Sequence, residues 1–318
     1  MPIRLADIED AAALVHQAMA PTPQICWPLL AARCGAEVWV KHENHTPTGA
    51  FKLRGGLIYM ADLKAHEPGI RGVIAATRGN HGQSIALAAR KNGLAATIIV
   101  PHGNSREKNL ARQAFGAELI EHGQDFQEAY DYAKSLAAER RLHMVRSFDR
   151  RLVRGVASYG LELFRAVPDL DAVYVPIGLG SGIAATIAVR DALGLKTEVI
   201  GVVAENAPAY ALSFAAGRAV ATNTADTIAD GVACRVPDEE ALHVILAGAA
   251  RVITVSEDEI RAAMRHLFAD THNVAEGAGA APLAGLLREK ARMAGKRVVI
   301  IQSGGNVDSD VFASVLTG

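Results

Sequence analysis

Short runs of Val and Ile alternate along the chain with amphipathic stretches of helical length, the pattern of successive βαβ units around parallel sheets. Gly72 to Ala76 predicts a strand, TRGNHG a turn, and SIALAARKN a helix stopped by Gly93. Ala96 to Val100 predicts the next strand, and helices over about 105–115 and 125–140 flank another at Glu118 to Glu121. HMVRSF, from His143, supplies one more. A helix over about 153–166, the strand AVYVPIG, a glycine-rich turn, a helix to about Leu193 and the strand TEVIGVVA follow. RVITVS then runs into a helix whose Ser256 and Glu259 have capping-box spacing, and KRVVIIQSGG leads to a short last helix. No internal repeat or low-complexity tract interrupts this order. The expected fold class is α/β, two lobes of parallel sheet flanked by helices. Such folds bind ligands in the crevice outside the carboxyl ends of their strands.

Composition narrows the function classes. The chain has 318 residues, half of them hydrophobic and 21% charged, with a net charge of −1, so neither disorder nor a nucleic-acid partner is expected. Its three cysteines, Cys26, Cys34 and Cys234, are odd in number and lack CxxC spacing, which argues against a disulfide framework or a zinc cluster and for a reducing, cytoplasmic setting. Asp7, Glu9 and Asp10 interrupt the N-terminal apolar stretch where a signal peptide would need continuity, and no apolar run approaches membrane-spanning length. A soluble protein with no membrane partner is expected.

Four loops carry chemistry. In TPTGAFKLRGG, Lys52 follows Ala50 and Phe51 and precedes Gly55 and Gly56; a lysine held among apolar groups loses hydration, its pKa falls, and the neutral amine becomes a nucleophile or base. The ordinary alternative is a lysine snorkelling from the first turn of a helix starting near Phe51. In ATRGNHGQS, a strand-to-helix turn, backbone N–H groups from Thr77 through Arg78, Gly79 and Asn80 to His81 can face a carboxylate, and Asn80 adds an amide able to meet a ring oxygen, although Asn is also ordinary turn chemistry. In PIGLGSGIAA, Gly178, Gly180 and Gly182 clear side chains so that backbone amides and the Ser181 hydroxyl can converge on one anion. A dinucleotide site, with Glu205 as its ribose-binding acid, is the competing reading. Ile183 stands where that fingerprint wants Gly or Ala, which favours a phosphate monoester. In IIQSGGN, Ser303 ends an apolar strand with Gly304 and Gly305 beside it; its hydroxyl can meet a ligand nitrogen or cap the last helix.

Lysine, amide, phosphate cup and hydroxyl together are the inventory that pyridoxal phosphate needs. Through KHENHTPTGAFKLRGG, TRGNHGQ, VPIGLGSGI, TIADGVA, AEGAGA and SGGNVD, in that order over nearly its whole length, the chain resembles the serine/threonine dehydratase and serine racemase family of fold-type II pyridoxal-phosphate enzymes, the tryptophan synthase β-like fold. The resemblance implies that Lys52 bonds covalently to the cofactor and that Phe51 lies beside the ring. It implies that Asn80 contacts the ring oxygen, that Gly178, Leu179, Gly180, Ser181 and Gly182 hold the phosphate, and that Ser303 faces the pyridine nitrogen. The substrate carboxylate is expected at Thr77 to His81. It also implies a large cofactor-binding domain of residues 1–50 plus 145–318, a small domain of 51–144, and a homodimer. The expected activity is dehydration of a β-hydroxy-α-amino acid such as threonine, serine, phenylserine or 3-hydroxyaspartate to a keto acid and ammonia.

The departures bear on reaction type. In the racemase branch a serine serves as second base where this chain has Arg78, which favours elimination over racemisation and could instead meet a second carboxylate or an aromatic face of the substrate. GLGSG replaces the four glycines of many relatives. Only Glu205 stands near where some relatives bind a cation, so no metal is expected. The chain ends shortly after SGGNVD, so feedback control by an appended regulatory domain is not expected. An amino-acid racemase or β-replacement enzyme of the same fold, a nicotinamide-dependent oxidoreductase, and a non-catalytic ligand-binding module are the alternative readings.

Overall fold

Ten strands and their flanking helices account for the alternation of apolar runs in the described residues, 3–318, of a computed structural model; residues 1 and 2 of the expected large domain lie outside them. The strands are β1 (Gln24–Cys26), β2 (Glu37–His42), β3 (Gly72–Ala76), β4 (Ala95–Val100), β5 (Glu118–Glu121), β6 (His143–Met144), β7 (Ala172–Pro176), β8 (Glu198–Ala204), β9 (Arg251–Val255) and β10 (Arg297–Gln302). One sheet has the order β1-β2-β10-β7-β8-β9, parallel except where β1 meets β2; the other has the order β5-β4-β3-β6 and is parallel throughout.

The near-continuous Val and Ile content of these strands follows from burial on both faces. Val173, Val175, Val199, Val299 and Ile301 pack on one side of the larger sheet with the helices Arg150–Ala166, Ser181–Ala192 and Glu239–Gly248. Tyr174, Ile200, Val202, Val298 and Ile300 pack on the other with Glu257–Thr271 and Gly277–Arg288. The smaller sheet is covered by Lys52–His66 and Asn80–Lys91 on one face and Phe126–Arg140 on the other. Each such side chain contributes on the order of 1.5–3 kcal/mol, so the sheets are rigid platforms for the loops at their ends. The core of the smaller sheet also takes in Ala11, Val15, Met19 and Leu152 from outside the 51–144 stretch.

Most expected elements stand where periodicity places them, and Gly93 closes its helix at φ +68°. Three boundaries differ for local reasons. The helix expected from Ser84 begins at Asn80, because Thr77 Oγ1 accepts the Gly79 N–H at 3.1 Å and tightens the turn. The helix expected from Val153 begins at Arg150, because Asp149 caps the Arg151 N–H. β6 has only two residues before the chain leaves for that cap. The Ser256–Glu259 capping box is reciprocal, at 2.7 and 3.2 Å.

Candidate active site

Lys52 is the first residue of its helix, and its Nζ lies 4.8 Å from the Phe51 ring centroid with no hydrogen-bonding or ion-pair partner among the described residues. Burial pushes its ammonium down to about 8, with the buried Glu276 opposing that shift. The residue retains partial solvent access, so the amine is reachable as well as desolvated. The same helix is clamped by Arg54, wholly buried two residues on. Its guanidinium donates to Glu43 (2.7 and 3.0 Å), Glu162 (2.6 and 2.9 Å), Ser158 (2.9 Å) and Thr22 (3.2 Å).

The four loops converge on this lysine from strand ends. Loop 46–50 is sewn to the end of β10: Phe51 N–H donates to the Ser303 carbonyl at 3.0 Å, Gly305 N–H to Gly49 at 2.9 Å, and Ala50 bridges Gly304. Ser303 is 4% exposed, immediately beyond β10, and its hydroxyl has no partner among the described residues. The glycine loop after β7 reaches the same place, since a Cβ on Gly182 would stand 3.7 Å from the Phe51 ring. Gly180 sits at φ +96° as the N-cap of Ser181–Ala192 with no side-chain cap, leaving the first helical N–H groups available to an anion. Tyr210 ties back the Leu179 carbonyl at 3.1 Å and Tyr159 that of Gly182 at 2.8 Å. Gly178 abuts the carbonyl of Gly231, in the TIADG segment.

The Thr77–His81 turn is held from behind by the buried Arg112, which donates to the carbonyls of Arg78 (2.7 Å) and Gly79 (2.9 Å). His81 is buried, with its imidazolium pushed down to about 3 by burial and by the nearby Lys52 and Arg112. The Arg78 side chain is exposed and makes no hydrogen bond or ion pair among the described residues. Asn80 is buried and donates its amide to Glu276 Oε1 at 2.6 Å. Glu205 lies exposed beyond β8, away from these contacts.

Glu276, Lys108, Asp230 and Asn306 belong to the site without having been singled out from sequence. Lys108 Nζ is 3.3 Å from Asp230 and 3.8 Å from Glu276, and burial raises the Glu276 carboxyl above the usual carboxylate range. With Ser105 they line a cavity of about 210 Å³. The signal for Glu276 was available: in AEGAGA a single charge stands among residues too small to hydrate or screen it. A larger groove of about 760 Å³, lined by Val153, Ile187 and Val244, contains none of the candidate site residues.

This donor set fits pyridoxal phosphate: a desolvated, unpartnered lysine, an uncapped helix N-terminus behind glycines, and a free hydroxyl. The profile of the family described as pyridoxal-phosphate dependent enzyme matches residues 15–304, and the chain belongs to that family. It is similar to the L-threonine ammonia-lyase of Thermotoga maritima, 34% identical over 315 residues, covering 99% of this chain and 78% of the relative. The structure of processed threonine deaminase isoform 2 from Solanum lycopersicum superposes with TM-score 0.92 at 29% identity, covering 98% of this chain and 91% of that one. Maize serine racemase superposes with TM-score 0.93 at 25% identity, covering 100% and 98%. The fold is thus that of fold-type II pyridoxal-phosphate enzymes, and the protein is a pyridoxal-phosphate-dependent ammonia-lyase.

Proposed function

We propose that the enzyme dehydrates a small β-hydroxy-α-amino acid of the threonine and serine type, releasing a keto acid and ammonia, with Lys52 as the catalytic base. The observation that carries this reading is the solitary amine of Lys52, desolvated to about 8 and fixed beside Ser303 through the Phe51 backbone bond. Glycines 178, 180 and 182 with Leu179 and Ser181 would hold the phosphate, Phe51 would flank the ring, and Ser303 and Asn80 would meet its nitrogen and oxygen. Bound pyridoxal phosphate supplies an aldehyde for the substrate amine and a sink for the electron pair left at Cα.

The Thr77–His81 turn, with Thr77, Arg78, Gly79, Asn80 and His81, receives the substrate carboxylate at the start of its helix. Lys52, displaced by the substrate amine, is then a neutral base and takes the Cα proton. The Cβ–O bond breaks and the hydroxyl leaves as water, carrying the proton that Lys52 gained. Water finally hydrolyses the C–N bond, so the water lost is replaced and ammonia departs. Ser303 is a neutral hydroxyl and cannot keep a proton on a pyridine nitrogen as a carboxylate would, which favours elimination over a long-lived carbanion.

The companions of this reading are a homodimer, a cytoplasmic setting and a small domain at 51–144. The last is supported by the four-stranded sheet built between Gly72 and Met144, and the setting by buried free thiols at Cys34 and Cys234. No helix among the described residues is long and apolar enough to cross a membrane.

Ammonia release from L-threonine, L-serine, phenylserine and 3-hydroxyaspartate tests the activity, and borohydride reduction with peptide mapping tests the lysine. Loss of keto acid in Lys52→Ala together with a label on Lys52 is expected. An unlabelled Lys52 in cofactor-loaded protein overturns the mechanism.

A further inference from the structure

We propose that Glu276 and Asn306 are positioning residues that fix which end of the Asn80 side-chain amide faces the ligand. This rests on the proposed function, in which Asn80 meets the cofactor ring. The argument starts from a backbone carbonyl, which can only accept. Asn306 Nδ2 lies 2.8 Å from the Thr48 carbonyl oxygen, so the nitrogen end of that amide is the end facing Thr48. The same nitrogen donates to Asn80 Oδ1 at 2.9 Å and approaches Gln83 Oε1 at 3.3 Å. With its oxygen thus engaged, Asn80 must turn its nitrogen the other way, where Glu276 Oε1 accepts at 2.6 Å.

Both ends of the relay impose the same orientation: a carbonyl at Thr48 and a carboxyl oxygen at Glu276. One Nδ2 hydrogen of Asn80 is consumed by Glu276, and the second has no acceptor among the described residues. Asn80 therefore presents a donor, and its ligand partner is an acceptor such as an ionised ring oxygen. The backbone is shaped for the relay. Gly49 adopts φ +67°, and a Cβ there would stand 2.5 Å from Asn306 Oδ1, so the loop just before Lys52 can close on Asn306 only as glycine. The relay also runs between the two sheets, from the turn after β3 to the segments before and after β10.

Two substitutions reverse the relay from opposite ends. Asn306→Asp places an acceptor against Asn80 Oδ1. In Glu276→Gln, Lys108, a donor at 3.8 Å, attracts the new amide oxygen and turns the amide nitrogen toward Asn80. Each variant favours the flipped Asn80. The holoenzyme of each, of the double variant and of Ser314→Ala is titrated with pH while the absorbance of the bound pyridoxal phosphate is followed, and the affinity for pyridoxal phosphate is measured by fluorescence. Lys52 labelling by borohydride is mapped in every protein.

The expected result is a midpoint displaced by about half a pH unit or more in both single variants, in the same direction, with weaker cofactor binding. The double variant should move no further than the larger single, because one flip is all there is to achieve. Ser314→Ala, on the exposed face of the last helix, should titrate like the parent. Coincident midpoints in parent and single variants, opposite displacements, or additive ones overturn the positioning role while a labelled Lys52 keeps the proposed function intact. An unlabelled Lys52 in the parent sinks the function itself, whatever the midpoints do.

Discussion

The Phe51 backbone N–H and the Ser303 carbonyl oxygen are 3.0 Å apart, joining the residue before the lysine to the residue just beyond the last strand. A bond across 252 positions of chain, between backbone atoms, cannot be loosened by a side-chain rotation. The backbones that carry Lys52 and Ser303 are thus tied together at the carboxyl end of an interior strand of the larger sheet, and substitutions at either side chain leave that tie in place.

The pH dependence of stability should report on Lys52. In cofactor-free protein its folded pKa of about 8 lies below the unfolded value of about 10.4, so the unfolded state binds more protons between these limits and stability rises with pH there. Below about 8 the folded state carries the whole cost of the buried charge, up to about 3 kcal/mol before allowance for its partial exposure. Lys52→Met should therefore exceed the parent in stability at pH 7, and the gap should shrink toward pH 10.5. Denaturant unfolding of both apoproteins at the two pH values measures this; a gap that widens with pH contradicts it.

Arg54→Leu should cost about 3–5 kcal/mol, because Glu43 would remain buried without an ion-pair partner among the described residues and Glu162 would keep only Lys41 and His16 there. Burial alone would raise the Glu162 carboxyl, yet Arg54 and Lys41 hold it down to about 2. Its stabilisation is complete above the unfolded value of about 4.3 and is lost as pH falls toward 2. Equilibrium unfolding between pH 7 and 2.5 should show that loss in the parent and a flatter profile in Glu162→Gln.

Gly180→Ala should weaken cofactor binding more than it weakens folding. The residue must hold φ +96°, and its new Cβ would meet the Ala241 Cβ at 2.7 Å, so the loop has to shift away from the helix start. Backbone strain of this kind costs on the order of 1–3 kcal/mol, or about tenfold or more in affinity. Fluorescence titration with pyridoxal phosphate checks the size, and an affinity equal to that of the parent would remove the phosphate role from this loop.

On the proposed function, Arg78 should shift the balance from racemisation toward elimination. Its guanidinium is exposed and makes no hydrogen bond or ion pair among the described residues, at the position where the resemblance implies that racemases carry a serine. Arg78→Ser should raise formation of the D-enantiomer from L-serine above the parent's level, whereas Arg78→Ala should lower ammonia release without gaining that activity. Chiral chromatography of timed reactions distinguishes them; equal D-serine from both variants would deny the serine hydroxyl a role.

Periodicity and local chemistry made much of this protein legible. β3, β4, β7, β8 and β10 announced themselves because two-sided burial leaves continuous Val and Ile runs, and Gly93, Ser256 and Glu259 marked helix ends through bonds made within a few residues. Lys52, the glycine loop and Ser303 were conspicuous for the same reason: a reactive side chain among apolar or glycine neighbours contradicts its surroundings. The short β1 and the cap-driven starts at Asn80 and Arg150 were not legible, since they depend on bonds that periodicity does not encode.

What only the tertiary structure decided is the set of polar partnerships between distant segments. Asn80 meets Glu276 across 196 positions and Asn306 across 226, and Arg54 meets Glu162 across 108. None of these pairs has a spacing that a helix or strand repeats. The first two exist because strand ends from two sheets empty into one crevice, and the third because the helices Lys52–His66 and Arg150–Ala166 pack together; in each case a buried donor without an acceptor is costly and the side chain takes the partner that the folded backbone brings within reach.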